Sequence, residues 1–129
     1  MADVRLALGG VGQIAVTVID LERATRFYRD VLGLEFLMQV PGMAFFALGG
    51  GTRLLLGPGE PGDALKRSSV LYFRVADTTA AEAALRAQNV DIVAPSHLVA
   101  RMPGHELWIV FFRDSETNVM ALMAEKPLA

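Results

Sequence analysis

The chain has 129 residues, of which 53% are hydrophobic and 20% charged, and its formal net charge is −2. This composition predicts a folded core, and the absence of a concentrated basic stretch argues against nucleic acid as a partner. No stretch approaches the roughly 18 consecutive apolar residues of a membrane span. Without cysteine the chain has no disulfides or thiolate ligands, and we expect one cytoplasmic domain.

The first half of the chain predicts a strand, a helix and three further strands. Alternating β-branched residues over 12–20 indicate the first strand. Asp20 is then placed to cap a helix over 21–32, which Gly33 ends. Three short strands are expected at 34–40, 43–48 and 53–56, separated by glycine-containing turns.

The second half repeats this order after a linker at 58–68 that is rich in glycine, proline and charge. A strand at 70–75 leads to Asp77, which is placed to cap a helix over 80–88. The segment 95–106 is interpreted as a loop leading into a strong strand. The remaining strands are expected at 90–93, 107–112 and 119–123.

The two halves form an internal repeat, because Asp20 and Asp77 both cap helices at strand ends. We therefore predict two modules, 10–57 and 69–125, neither of which can bury its apolar face alone. Alternation along the strands directs one face to the helices and the other to a cavity. The expected cavity-facing side chains are Gln13, Ala15 and Thr17 in the first half and Val70, Tyr72 and Arg74 in the second.

Two segments carry a resemblance to a known family. Residues 18–24 (VIDLERA) with 27–34 (FYRDVLGL), and residues 111–118 (FFRDSETN), resemble the vicinal-oxygen-chelate superfamily of glyoxalases, methylmalonyl-CoA epimerases, ring-cleaving dioxygenases, fosfomycin-modifying enzymes and bleomycin-binding resistance proteins. The resemblance covers nearly the whole chain. It implies an α+β fold in which two βαβββ modules form a curved mixed sheet around a pocket.

The resemblance also implies four metal-ligand positions on the inner strand faces. They fall on Gln13, on Val70, on Ala121 and, to within one residue, on Leu55. Glutamine is a known ligand variant there, whereas valine, alanine and leucine have no donor atom. We expect no metal at these positions, although a divalent metal ion stays open as a cofactor through an alternative set of His97, His105 and Glu106.

Five side chains are candidates for binding a ligand: Gln13, Tyr72, Arg74, His105 and Trp108. An amide, a guanidinium and an imidazole can orient or hydrogen-bond a ligand, and aromatic rings commonly line apolar pockets. Alternatives stay open for each type. Gln13 could bond only to backbone, Arg74 could pair with an acid at the module seam, the histidines could be merely exposed, and Trp108 could belong to the core.

The sequence favours a protein that binds a small apolar or aromatic molecule, as the bleomycin-binding family members do. The alternative is a lactoylglutathione-lyase-like lyase, isomerase or epimerase, which would need a divalent Lewis acid and a carboxylate base. A third interpretation is a dimeric domain whose pocket has lost its function. We also expect a homodimer, because high apolar content and half-domain repeats call for additional buried surface.

Overall fold

The computed structural model describes residue 6, residues 9–58 and residues 69–128. Most of the predicted linker, residues 59–68, therefore lies outside the described residues. The first module contains β1 (Gln13–Thr17), α1 (Leu21–Arg26), a π-helical segment (Phe27–Val31), β2 (Glu35–Val40), β3 (Met43–Gly49) and β4 (Thr52–Gly57). The second contains β5 (Tyr72–Arg74), α2 (Thr78–Ala87), β6 (Ile92–Met102), β7 (His105–Arg113) and β8 (Val119–Pro127).

Each module forms its own four-stranded mixed sheet, and the two sheets have the same strand order. The first sheet runs β1-β4-β3-β2 and the second β5-β8-β7-β6. In both, the first strand of the module pairs in parallel with its last strand, and the other pairs are antiparallel. The predicted α+β fold of two βαβββ modules is confirmed.

Both helices begin directly after the aspartates that were predicted to cap them, and α2 starts at Thr78, two residues before the predicted start. The Asp20 carboxylate accepts a 3.0 Å hydrogen bond from the Arg23 backbone N–H, and Asp77 accepts one of 2.9 Å from the backbone N–H of Thr79. Such caps satisfy backbone donors that the first turn leaves free. The first helix differs from the prediction after Arg26, where it widens into the π-helical segment.

The segment predicted as a loop is instead part of a long hairpin. β6 extends over Ile92–Met102 and pairs with β7 through a turn at Pro103 and Gly104. The prediction of a short strand over 90–93 was wrong because three register shifts interrupt the alternation that reveals a strand. Pro95 is tolerated because β6 lies at the edge of its sheet.

One hydrophobic core joins the two modules. The helix-side faces of both sheets contribute to it, with Phe46 and Leu54 from the first sheet and Val110 and Phe112 from the second, all fully buried. Val16 and Val18 are buried in this core and Ile14 packs against it, which confirms that these three side chains lie on the helix side of β1. The opposite face of each sheet therefore points away from the shared core. Within the described residues the two sheets are separate and are not closed on one another.

A polar clasp at the β7–β8 turn holds the modules together. The buried Glu116 carboxylate accepts hydrogen bonds of 2.8 Å from the backbone N–H groups of Ile19 and Asp20, and it pairs with the Arg23 guanidinium at 2.7 Å. The Asn118 amide donates to the Thr17 carbonyl at 3.1 Å. Glu116 therefore bonds across the seam between the two modules.

Candidate functional site

The first open face, which we define as the face of the first sheet opposite the helices, is mainly apolar. The strand pairs align Ala15 with Leu55 and Leu55 with Phe45, and Gln13 is exposed beside Arg53. The Arg53 guanidinium lies 5.7 Å from the centre of the Phe45 ring. A cavity of about 320 Å³ opens at one end of this face, lined mainly by Ala15, Thr17, Pro41, Met43, Leu55 and Pro58.

The second open face, on the corresponding side of the second sheet, carries an aromatic group. The rings of Tyr72 and Phe111 meet edge to face with centres 6.0 Å apart, and the His97 ring lies 6.4 Å from that of Phe111. Tyr72 is 49% exposed. An exposed tyrosine backed by an aromatic neighbour offers a planar apolar surface with a hydroxyl at its edge.

Three polar side chains stand beside this aromatic group on the same face. Arg74 donates a 2.9 Å hydrogen bond from Nε to the Glu125 carboxylate, and Nε2 of His105 lies 3.5 Å from the other oxygen of that carboxylate. The hydrogen bond from Arg74 holds the pKa of Glu125 below its usual value. The predicted ion pair of Arg74 therefore exists, although its partner belongs to the same module and not to the module seam.

Trp108 is separated from the other candidates. His105 and Trp108 are three positions apart on β7, so their side chains lie on opposite faces of the sheet. The Trp108 indole N–H donates to the Glu106 carboxylate at 3.3 Å, and the Lys126 ammonium lies 5.0 Å from the ring centre. The structure thus brings together Tyr72, Arg74 and His105, and it leaves Trp108 on the helix side.

The four family ligand positions are divided between the two open faces. The register pairs Ala15 with Leu55 and, in the second module, Tyr72 with Ala121. Because Ala15 and Tyr72 are counterparts in the repeat, Leu55 is the counterpart of Ala121. Gln13 and Leu55 therefore share the first open face, and Val70 and Ala121 belong to the second. One amide and three hydrocarbon side chains do not fit a divalent metal ion.

The alternative metal set is not brought together. Glu106 points to the helix side, where it pairs with Arg101 at 3.2 Å, whereas His105 lies on the second open face. His97 aligns with Ile109, four positions along β7 from His105. Within the described ranges, no group of three or more histidine, aspartate or glutamate side chains is placed to hold a metal ion.

Sequence reasoning missed two residues of the second open face. Phe111 was not among the candidate ligand-binding residues, and Glu125 lies beyond the predicted end of the last strand at residue 123. The alternation of Val119, Ala121, Met123 and Glu125 continues to the observed end of β8 and could have placed Glu125 on this face.

Among the described helices, none has the length and apolar character of a membrane span.

Comparison with known proteins is consistent with this geometry. The family model described as the glyoxalase/bleomycin resistance protein/dioxygenase superfamily matches residues 10–122. No curated protein matches the chain. A crystal structure of TnmS3, an antibiotic-binding protein from a Streptomyces species, is 27% identical with a TM-score of 0.70, and the alignment covers 96% of this chain and 100% of that one.

Two further solved structures share the fold at lower identity. Lactoylglutathione lyase from Agrobacterium tumefaciens is 21% identical with a TM-score of 0.65, and the alignment covers 92% of this chain and 95% of that one. The fosfomycin resistance protein FosX from Listeria monocytogenes is 20% identical with a TM-score of 0.71, covering 91% and 93% of the two chains. At these identities the likeness concerns the fold alone.

Proposed function

Because the chain belongs to the glyoxalase/bleomycin resistance protein/dioxygenase superfamily, we propose that it binds a small, partly aromatic or apolar molecule without a metal at the usual positions. The strongest support is the second open face, where the Tyr72–Phe111 pair adjoins the polar group of Arg74, His105 and Glu125. Ligand sites commonly combine apolar walls with a few fixed polar groups. The similarity to an antibiotic-binding protein supports a role in sequestering or carrying such a molecule.

The charge of this face favours an uncharged aromatic ligand over an anion. The Arg74 guanidinium is already bonded to Glu125, so the pair has no net charge when both groups are ionised. An anion would be repelled by the Glu125 carboxylate beside Arg74, whereas an uncharged amide or phenol can hydrogen-bond to the pair as it stands. The planar part of the ligand would stack against Tyr72 and Phe111.

We further propose that the protein is a cytoplasmic homodimer. One chain offers only one wall of the site, and both open faces expose apolar surface, including Met38 at 48% and Tyr72 at 49% exposure. Packing the first open face of one chain on the second open face of its partner would cover both surfaces and enclose the ligand. A two-fold dimer would repeat this arrangement and create two equal sites. The absence of cysteine fits a reducing compartment.

The glyoxalase-like lyase, isomerase or epimerase alternative has weaker support. That chemistry needs a divalent Lewis acid with a nearby carboxylate base. Leu55, Val70 and Ala121 stand at three of the four positions that would hold the ion, and none of them has a donor atom.

A calorimetric titration with 2-naphthamide and its anionic isostere 2-naphthoate tests the proposed site. We expect saturable binding of 2-naphthamide that is stronger than that of 2-naphthoate. Phe111→Ala should weaken 2-naphthamide binding by roughly 5- to 150-fold, since loss of an aromatic stacking partner removes about 1–3 kcal/mol of binding free energy. Phe36→Ala, which removes an equally large ring from the helix side of β2, is the matched control. Equal binding by both variants would refute the site.

A further inference from the structure

A second recess lies between the two modules, on the helix side of the sheets. Its volume is about 790 Å³. The first module contributes Ile14, Leu34 and Leu48 to its walls, and the second contributes Phe73 and the α2 side chains Ala84 and Leu85. The recess lies between β1 and β5, which are edge strands of their respective sheets. We refer to it as the inter-module recess.

The inter-module recess is distinct from both open faces. Ile14 and Phe73 lie on the core side of β1 and β5, next to Ala15 and Tyr72, which face the other way. Its inner end reaches the shared core, since Leu85 is only 5% exposed. Tyr72 and Arg74 border the recess as well as the second open face, and neither residue can therefore distinguish the two sites.

The walls of the recess select against a charged occupant. Two of the polar side chains along it are already engaged: Thr52 donates to the Val11 carbonyl at 2.6 Å, and Arg74 is paired with Glu125 at 2.9 Å. An ion entering the recess would lose hydration without gaining a free counter-charge. Hydrocarbon walls also hold water poorly, because a buried water needs two or more polar partners.

The shape of the recess favours a small molecule over a peptide. Its volume falls within the roughly 300–1,000 Å³ that is typical of small-molecule sites, and its walls converge from separate segments of both modules. A peptide would bring backbone N–H and C=O groups that aliphatic side chains cannot pair. We propose that the inter-module recess binds a neutral, apolar small molecule, independently of the ligand proposed for the open faces.

Fluorescence titration with the uncharged probe N-phenyl-1-naphthylamine tests this proposal on the full chain. Because the proposed open-face site would also take an uncharged aromatic probe, all titrations use the Phe111→Ala background, in which the probe should bind with a saturable blue shift at one molecule per chain. Ala84→Phe places a ring into the recess and should weaken probe binding at least tenfold. Ala83→Phe makes the same change on the adjacent position of α2, which does not line the recess, and should leave the affinity within twofold of the value for Phe111→Ala alone.

A further variant and the common background make the outcome decisive. Ala81→Leu narrows the same recess and replaces Ala84→Phe if circular dichroism shows that the latter does not fold. Because Phe111→Ala removes the proposed open-face site from every variant in this series, failure of that site and failure of the recess are distinguishable. The proposal is overturned if the probe does not saturate or if the narrowed and control variants bind it equally. If probe binding dissociates a dimer in sedimentation, the recess is instead a surface that binds a second copy of the chain.

Discussion

The phenol of Tyr28 donates a 2.7 Å hydrogen bond to the carboxylate of Asp114, which lies 86 residues further along the chain. Tyr28 is fully buried on the first helix, and Asp114 begins the turn between β7 and β8. The same carboxylate accepts backbone N–H bonds of 2.8 Å from Glu116 and from Asn118. One aspartate therefore both shapes the turn in the second module and fixes the helix of the first.

Replacing Tyr28 with phenylalanine should lower the free energy of unfolding by about 1–3 kcal/mol, because a buried carboxylate would lose one of its donors. Urea denaturation followed by circular dichroism measures this change. Phe27→Leu, which alters the neighbouring ring without touching Asp114, serves as the control. An unchanged unfolding midpoint in Tyr28→Phe would show that the hydrogen bond does not stabilise the fold.

The same tyrosine should make stability depend on pH in the alkaline range. Burial, and next the Asp114 carboxylate, raise the pKa of Tyr28 far above its ordinary value. The unfolded chain can then release this proton above about pH 10 while the folded chain keeps it, so the stabilisation is complete below pH 10 and falls as the pH rises further. Unfolding measured from pH 8 to 11 should show a steeper loss for the wild type than for Tyr28→Phe. Parallel curves would contradict this.

The clasp at Glu116 should contribute more than any exposed ion pair. Its side chain is 1% exposed, and Glu116→Ala would leave the backbone N–H groups of Ile19 and Asp20 without their acceptor. We expect the free energy of unfolding to fall by about 3 kcal/mol. Glu22→Ala removes the exposed i,i+4 pair with Arg26 and should change little. Equal effects of the two substitutions in thermal denaturation would argue against the clasp.

We expect the Arg74–Glu125 pair to determine the pKa of Glu125. In Arg74→Gln, the pKa of Glu125 should rise toward its ordinary value, because its main hydrogen-bond donor is removed. Since the folded pKa is lowered, any stabilisation from the pair is complete above the unfolded pKa and is lost as the pH falls through the folded one. Side-chain carboxyl NMR provides the measurement. Arg101→Gln, which breaks the ion pair with Glu106 on the opposite face, should leave the Glu125 titration unchanged. A similar shift in both variants would show that the hydrogen bond from Arg74 does not lower the pKa of Glu125.

The proposed dimer predicts a sedimenting species of twice the 13.9 kDa chain mass at micromolar concentration. Phe45→Asp puts a charge on the first open face and should produce monomers. Leu98→Asp adds the same charge at a side chain that is 37% exposed and that aligns with Trp108 on the helix side of the second sheet, and it should leave the mass unchanged. A single 13.9 kDa species for the wild type would rule out the dimer.

Much of the fold could be predicted from the sequence because its signals are local. Asp20 and Asp77 cap helices through bonds that span two or three residues, and the alternation of Ile14, Val16 and Val18 identifies a core-facing strand. These features recur in both halves and determine the two βαβββ modules. Residues 111–118 likewise predict a turn, because the Asp114 carboxylate accepts hydrogen bonds from the backbone N–H groups of Glu116 and Asn118, which are only two and four residues away.

Only the tertiary structure decided which side chains form a site. The register shifts in β6 hide its alternation, so the sequence alone does not reveal that His97 lies on the second open face and beside Phe111. Arg74 and Glu125 are 51 residues apart in the chain and meet because β5 pairs with β8. Successive side chains of β7 alternate between the two faces of the sheet, so Trp108 lies on the opposite face from His105. Such contacts depend on strand register and on the shared core of the two modules, which are set by long-range packing and not by the residues adjacent in the chain.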